Sequence, residues 1–179
     1  LSHPIKRNTL FLALYLGVSL ALISAFLIGV AVPLSIINFS YTSFLFIVSG
    51  IILTAVFVSL AMLASVATRD KAKGIGTAII TWVFFAIIYD AIVLLIMFQL
   101  NDYPIEKIMI ALSALNPIDL TRILILLKLD HAALLGYTGA LFMDFFGNSK
   151  GIIFSITILL CWIVIPLLIS LKNFRNKDW

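Results

Sequence analysis

From Asn8 to Thr68 the chain carries not one charged residue, a run far too long for a single helix. A bilayer crossing takes about 20 apolar residues, enough to traverse roughly 30 Å of hydrocarbon. The natural break in the run is the polar, proline-containing segment Pro33 to Ser43, which holds Ser35, Asn38, Ser40 and Thr42. The pattern predicts a first span at Leu10–Val32 and a second at about Phe44–Ala67. The second closes on Arg69, Asp70, Lys71 and Lys73, followed by Gly74 and Gly76. A third runs over Thr77–Leu100, interrupted only by Asp90, and a fourth over Gly151–Leu171, ending in Lys172, Arg175 and Lys177. Lipid offers backbone N–H and C=O groups no water, so each apolar run must satisfy them internally as a helix. The expected fold is all-α, a polytopic transmembrane helical bundle of four spans in a single domain over residues 1–179.

The segment between the third and fourth spans, residues 101–150, is patterned rather than random. Asn116-Pro117-Ile118-Asp119 reads as a helix start, with Asn as N-cap, Pro at the first helical position and an acid in the first turn. Behind it Leu120, Ile123, Leu124 and Leu127 recur at helical spacing, while Arg122 and Lys128 point elsewhere. A weaker pattern, Ile105, Ile108, Met109 and Leu112, precedes it. These helices are too short and amphipathic to span, so they are expected to lie at the outer interface or to dip into it. A third short segment, Leu141–Phe146, leads through Gly147-Asn148-Ser149 into the last span.

Composition agrees with this reading. Hydrophobic residues make up 63% of the 179, charged residues 11%, and the mean hydropathy is +1.21, against about half apolar and a quarter charged in soluble domains. The net charge of +4 does not point to nucleic acid; what matters is where the charges sit. Lys6 and Arg7, then Arg69, Lys71 and Lys73, then Lys172, Arg175 and Lys177 flank alternate ends of the spans. The loop between the first two spans is uncharged, and the long loop mixes four basic with five acidic residues. Basic residues close to spans favour the cytoplasmic side. Both ends of the chain are thus expected in the cytoplasm of a plasma-membrane protein, with residues 101–150 outside. The first apolar run is too long for a cleavable signal peptide and lacks a small-residue cleavage pattern. The chain opens at Leu1 in what reads as a loop, and an N-terminal part is expected to be missing.

Asp90 is the one charge expected at membrane depth, where a carboxylate is costly and usually faces a bundle interior or a wet cavity. It serves either a pathway or helix packing, with Tyr89 or a neighbouring Ser or Thr as its partner. The pair Tyr89-Asp90 invites comparison with intramembrane aspartyl proteases. That chemistry needs a second carboxylate close by, and the next span holds none. His3, His131, Met62, Met97, Met109, Met143 and Cys161 form no close pair at ligand spacing, and methionines in apolar helices usually pack. No metal site and no cofactor is expected. A single cysteine allows no disulfide within the chain. There is no phosphate-binding Gly-x-x-x-x-Gly-Lys-Ser/Thr, serine-nucleophile or His-Glu-x-x-His motif, so no catalytic role is expected. Gly17, Ser24, Ala25 and Gly29 on the first span suit close helix packing.

Several segments, in order, resemble a known family. Leu1-Ser2-His3-Pro4-Ile5-Lys6-Arg7 resembles the L-s-x-P-I-s-R element that follows the coupling helix of type-2 ABC permeases. Arg69-Asp70-Lys71-Ala72-Lys73-Gly74, Trp82 and Tyr89-Asp90 resemble the NosY-type branch, named for nitrous-oxide reductase maturation. Leu115-Asn116-Pro117-Ile118-Asp119-Leu120-Thr121-Arg122 is similar to that branch's LNPxDxxR outer-loop motif. Phe174-Arg175-Asn176-Lys177-Asp178 resembles the usual F-x-x-x-D ending. The resemblance implies six spans per subunit, two of them absent here, in a homodimer docked on two ATPase subunits. It implies cytoplasmic contacts at His3, Pro4, Lys6 and Arg7, and an outer gate or docking face at Asn116, Pro117, Asp119 and Arg122. For the NosY type it implies support of copper-site assembly in nitrous-oxide reductase through a periplasmic partner protein. A general exporter of drugs, lipids or polysaccharide precursors, and a scaffold passing ATPase motion to a periplasmic partner, stay open as alternatives.

Overall fold

Four helices are long and apolar enough to cross a membrane: α1 (Arg7–Ile37), α2 (Tyr41–Ala67), α3 (Lys71–Gln99) and α6 (Ser149–Asn176). Between the third and fourth lie two short helices, α4 (Glu106–Leu115) and α5 (Pro117–Lys128). The computed structural model describes residues 6–37, 40–68, 70–99, 106–128 and 149–176, and among these there is no strand. The expected segment Leu141–Phe146 and His131 lie outside them.

The break expected over Pro33 to Ser43 is narrower than the polar residues suggest. α1 continues through Pro33 to Ile37, and α2 begins at Tyr41 behind Ser40, whose hydroxyl accepts the Ser43 N–H at 3.3 Å. A proline inside an α-helix clashes with the carbonyl four residues back and supplies no N–H. Here the residues before it, Leu27–Ala31, form a π turn, with the Val32 N–H bonded to the Leu27 carbonyl. The wider turn makes room for the ring, so the helix survives. The third helix likewise starts earlier than Thr77. Asp70 caps it by accepting the Ala72 N–H at 2.9 Å, which draws Lys71, Lys73, Gly74 and Gly76 into α3. Gly74 is buried where α2 ends: a Cβ there would stand 2.9 Å from Thr68 Oγ1. Close approach of the two helices explains that glycine.

α2 is the centre of the bundle and packs on α1, α3, α5 and α6. Its contact with α6 includes an exchange of hydrogen-bonding groups. Pro166 lies inside α6 and offers no N–H to the Trp162 carbonyl four residues back. The buried Ser59 hydroxyl of α2 shares its one proton between its own Val56 carbonyl at 2.7 Å and the Trp162 carbonyl at 3.3 Å. At the basic end, the Arg7 guanidinium donates to the Arg175 carbonyl at 3.2 Å and the Phe11 and Phe174 rings lie 5.4 Å apart. The start of α1 and the end of α6 therefore meet. The outer faces of α1, α3 and α6 are lined with exposed Leu, Ile and Phe, the surface a bilayer covers.

α4 and α5 form a bent pair, Ile108–Leu115 and Pro117–Ile125 meeting at 111°. The pair packs into the bundle rather than standing clear of it. Met109, Leu120 and Ile123 form a buried cluster with Leu159 of α6, with Ile52 of α2 and Val93 and Met97 of α3 packed around it. Leu120 is fully buried. Part of the chain's tightest core is thus built by residues whose pattern alone suggested an interfacial helix.

Candidate functional site

The bend of the helix pair is held by Asn116, and every atom of its amide is used. The Oδ1 accepts the Ile118 N–H at 3.0 Å, the N-cap bond expected of Asn before a helix. The backbone carbonyl accepts the Leu120 N–H at 3.0 Å, beginning the α5 ladder. The Nδ2 donates across to the Phe85 carbonyl at 3.0 Å. Phe85 sits in a second π turn, Phe84–Ile88, in the middle of α3. Pro117 follows at the first helical position, where its missing N–H costs nothing.

The end of α4 is satisfied by its neighbours. Helix C-termini leave four carbonyls without intrahelical partners. The Tyr89 hydroxyl of α3 donates to the Leu112 carbonyl at 2.6 Å, and the Trp162 indole of α6 donates to the Ala114 carbonyl at 3.4 Å. The Asn116 N–H turns back to the Ser113 carbonyl at 3.3 Å. Phe85 packs edge-on against Trp162 at 5.2 Å and lies 6.4 Å from Tyr89, so aromatic rings fill the space between these bonds.

One turn into α5, Arg122 holds two carboxylates. Its Nη2 meets Asp119 Oδ1 at 2.5 Å and its Nη1 meets Asp90 Oδ2 at 3.2 Å. Asp119 is buried, Asp90 is about a third exposed and Arg122 about half exposed (9%, 34% and 52% of the side chain). Burial raises the Asp119 carboxyl to about 6, Arg122 pulling against that and Asp90 adding to it. Two carboxylates around one guanidinium carry one excess negative charge, and a proton on Asp119 removes it.

Tyr89 and Asp90, expected as pathway or packing residues, and Asn116, Pro117, Asp119 and Arg122, expected as an outer gate or docking face, thus form one site. The partner of Asp90 is Arg122 rather than Tyr89 or a Ser or Thr, and Tyr89 is spent on α4. Lys6 and Arg7 lie at the opposite end of α1, exposed, and His3 and Pro4 lie outside the described residues. Sequence reading missed Trp162, though a Trp in a span needs a partner for its indole N–H. The acceptors, Phe85, Leu112 and Ala114, use only backbone carbonyls and leave no mark in a sequence. The arrangement is a fastening: ion pairs and hydrogen bonds tie the bent pair to α3 and α6.

Comparison with known proteins adds the family. The ABC-2 family transporter protein model matches residues 1–179. The chain is also 30% identical over 145 residues to a protein of Pseudomonas aeruginosa named "Probable ABC transporter permease protein NosY", the match covering 74% of this chain and 52% of that protein. The chain spans about half the length of that curated relative.

Proposed function

This chain belongs to the ABC-2 family of transporter proteins, and on that premise we propose that it is the membrane-embedded permease part of a transporter driven by a separate ATPase. The observation that carries the reading is the fastening of the bent pair. Its tip is tied to α3 through Phe85, Tyr89 and Asp90 and to α6 through Trp162. A tilt of α3 or α6 is therefore passed directly to α4 and α5. In this proposal two copies of the permease pair, each docked on one ATPase subunit. Docking is at the basic end, where Lys6, Arg7, Lys71, Lys73, Lys172 and Arg175 gather. Basic residues beside spans favour the cytoplasm, which places the bent pair toward the outer side as gate or docking face. Asp90, Arg122 and Asp119 are the fastening that a motion breaks and remakes; Tyr89 and Asn116 position it.

The finer reading draws on the NosY-type motifs and on the relative named NosY: support of copper-site assembly in nitrous-oxide reductase through a periplasmic partner. Orientation is tested in intact cells in a Cys161→Ser background. Lys71→Cys should stay unlabelled by an impermeant thiol reagent and Lys128→Cys should react; the reverse pattern overturns the placement. For function, the gene is deleted in its host. Nitrous-oxide reductase should then lack its copper absorption and regain it with the wild-type gene but not with Arg122→Ala. Full copper in the deleted strain defeats the finer reading alone, whereas failure of any ATPase subunit to co-purify with the permease defeats the coarser one.

A further inference from the structure

Between α1, α2 and α3 runs an apolar groove of about 780 Å³, lined by Phe26, Leu53, Phe57, Met62 and Trp82 with Gly50 at its upper end. Its one hydroxyl, Thr54, is already bonded to the Gly50 carbonyl at 2.7 Å. Apart from the Trp82 indole N–H, such a lining offers little to the charges of an ion or a nucleotide or to the many hydroxyls of a sugar. At its lower end it meets a second cavity of about 400 Å³ lined by Ser65, Thr68, Asp70 and Lys71, and Ala61 and Ala78 line both. Two small side chains form the neck, so the two spaces make one path from an apolar wall to a polar mouth lined by Asp70 and Lys71.

We propose that this path holds one anionic phospholipid of the leaflet at the basic end, with an acyl chain in the groove and the phosphate beside Lys71. Length, polarity and charge all fit that occupant. The residues of α2 from Gly50 to the neck at Ala61 rise about 16 Å along the helix, and a single leaflet contributes roughly 15 Å of hydrocarbon. An acyl chain entering at the neck is therefore covered along its whole length by protein on one side. The mouth sits where a headgroup sits. Of the two charged residues that line the mouth, the Asp70 carboxylate caps the Ala72 N–H, which leaves Lys71 for a headgroup, and in sequence Arg69 and Lys73 flank the pair. Among the described residues the Lys71 ammonium makes no ion pair. Basic pockets between helices at a membrane face are suited to anionic headgroups. This site lies on the opposite side of α3 from the Arg122 fastening in chain terms, at the helix start, and does not depend on the transport reading.

The test uses the full-length membrane protein, reconstituted with phosphatidylcholine and phosphatidylglycerol in equal amounts, stripped of loosely held lipid, and weighed intact by native mass spectrometry. Wild type should keep one phosphatidylglycerol per copy of the chain. Lys71→Gln, a surface change that leaves folding intact, should lower its retention by about fivefold, the factor one lysine near an anionic headgroup contributes, without raising that of phosphatidylcholine. Ala61→Trp and Ala78→Leu, which close the neck, should abolish retention. Equal retention of both lipids by wild type, no retained lipid at all, or full retention after Lys71→Gln would each overturn the proposal.

Discussion

Arg122 Nη1 lies 3.2 Å from Asp90 Oδ2, across 32 positions of chain. An isolated carboxylate inside a span is costly, and the bent pair brings it a cation that the flanking sequence of α3 does not contain. The two ends of this contact are unequal. Asp90 meets one cation among the described residues, whereas that cation, Arg122, also holds Asp119.

Substitution should reveal that inequality. Asp90→Asn keeps a hydrogen-bond acceptor for Arg122 and should cost under about 1 kcal/mol, as for a partly exposed ion pair. Arg122→Ala leaves two neighbouring carboxylates without their cation and should cost more, about 1–3 kcal/mol. Asp90→Leu, which loses both charge and acceptor, should fall between them, and adding Asp90→Asn to Arg122→Ala should recover part of the loss. Thermal unfolding of the permease in nanodiscs gives the order; Asp90→Asn proving the costliest change would rule out Arg122 as the shared centre.

Acid should favour the folded site. The Asp119 carboxyl is raised to about 6 in the fold from an ordinary 3.8, so the folded state binds its proton more tightly than the unfolded chain does. Its contribution is fully present below about pH 4 and is lost as pH rises through about 6. Relative to Asp119→Asn, which cannot titrate, wild type should lose melting temperature between about pH 4 and pH 6. Parallel curves for the two proteins would show that Asp119 titrates as it does in water.

Asn116 has two separable roles. Asn116→Asp keeps the acceptor that caps Ile118 but presents an oxygen to the Phe85 carbonyl where an N–H had been. Asn116→Ala loses both bonds. The alanine variant should cost about 1–2 kcal/mol for the cap alone, and aspartate should be no better, because two oxygens then face each other at the π turn. Should aspartate match wild type in melting, the bond to Phe85 contributes nothing.

Ser59 and Pro166 should couple. Ser59→Ala removes the donor to a Trp162 carbonyl that Pro166 leaves unbonded within α6, at about 1 kcal/mol. In a Pro166→Ala background the helix supplies its own N–H, and Ser59→Ala should then cost measurably less. Equal costs in both backgrounds, read as a double-mutant cycle in melting, would show that Ser59 acts only through its own helix.

Much of this architecture was legible from charge and hydropathy. The absence of charges from Asn8 to Thr68, the basic cluster after it and the lone Asp90 mark the spans, and Asn116-Pro117 marks the start of α5, because capping chemistry is local. What was not legible depends on geometry beyond a few residues. Pro33 looks like a stop because proline usually is one; the π turn before it is set by packing and has no signature. Arg122 and Asp90 are each conspicuous alone, yet their pairing follows only once the 111° bend at Asn116 aims α5 back at α3. Trp162 is hidden in an apolar run whose hydropathy registers its ring and not its N–H.

The π turn at Phe84–Ile88 also fixes an angular phase. Such a turn is equivalent to one residue inserted into an α-helix, and each α-helical residue advances by about 100° around the axis. Everything from Tyr89 to Gln99 is therefore rotated by about that angle relative to an uninterrupted continuation of Lys71–Val83. Tyr89 and Asp90 face the bent pair because of this offset. Straightening the turn into regular α-helix with all five residues kept would swing both side chains about a quarter-turn away from Leu112 and Arg122, whereas deleting one of the five would let the helix close regularly with both still in place. The register of α3 is thus as much a part of the site as the residues themselves, and the one extra residue held in the turn is what sets it.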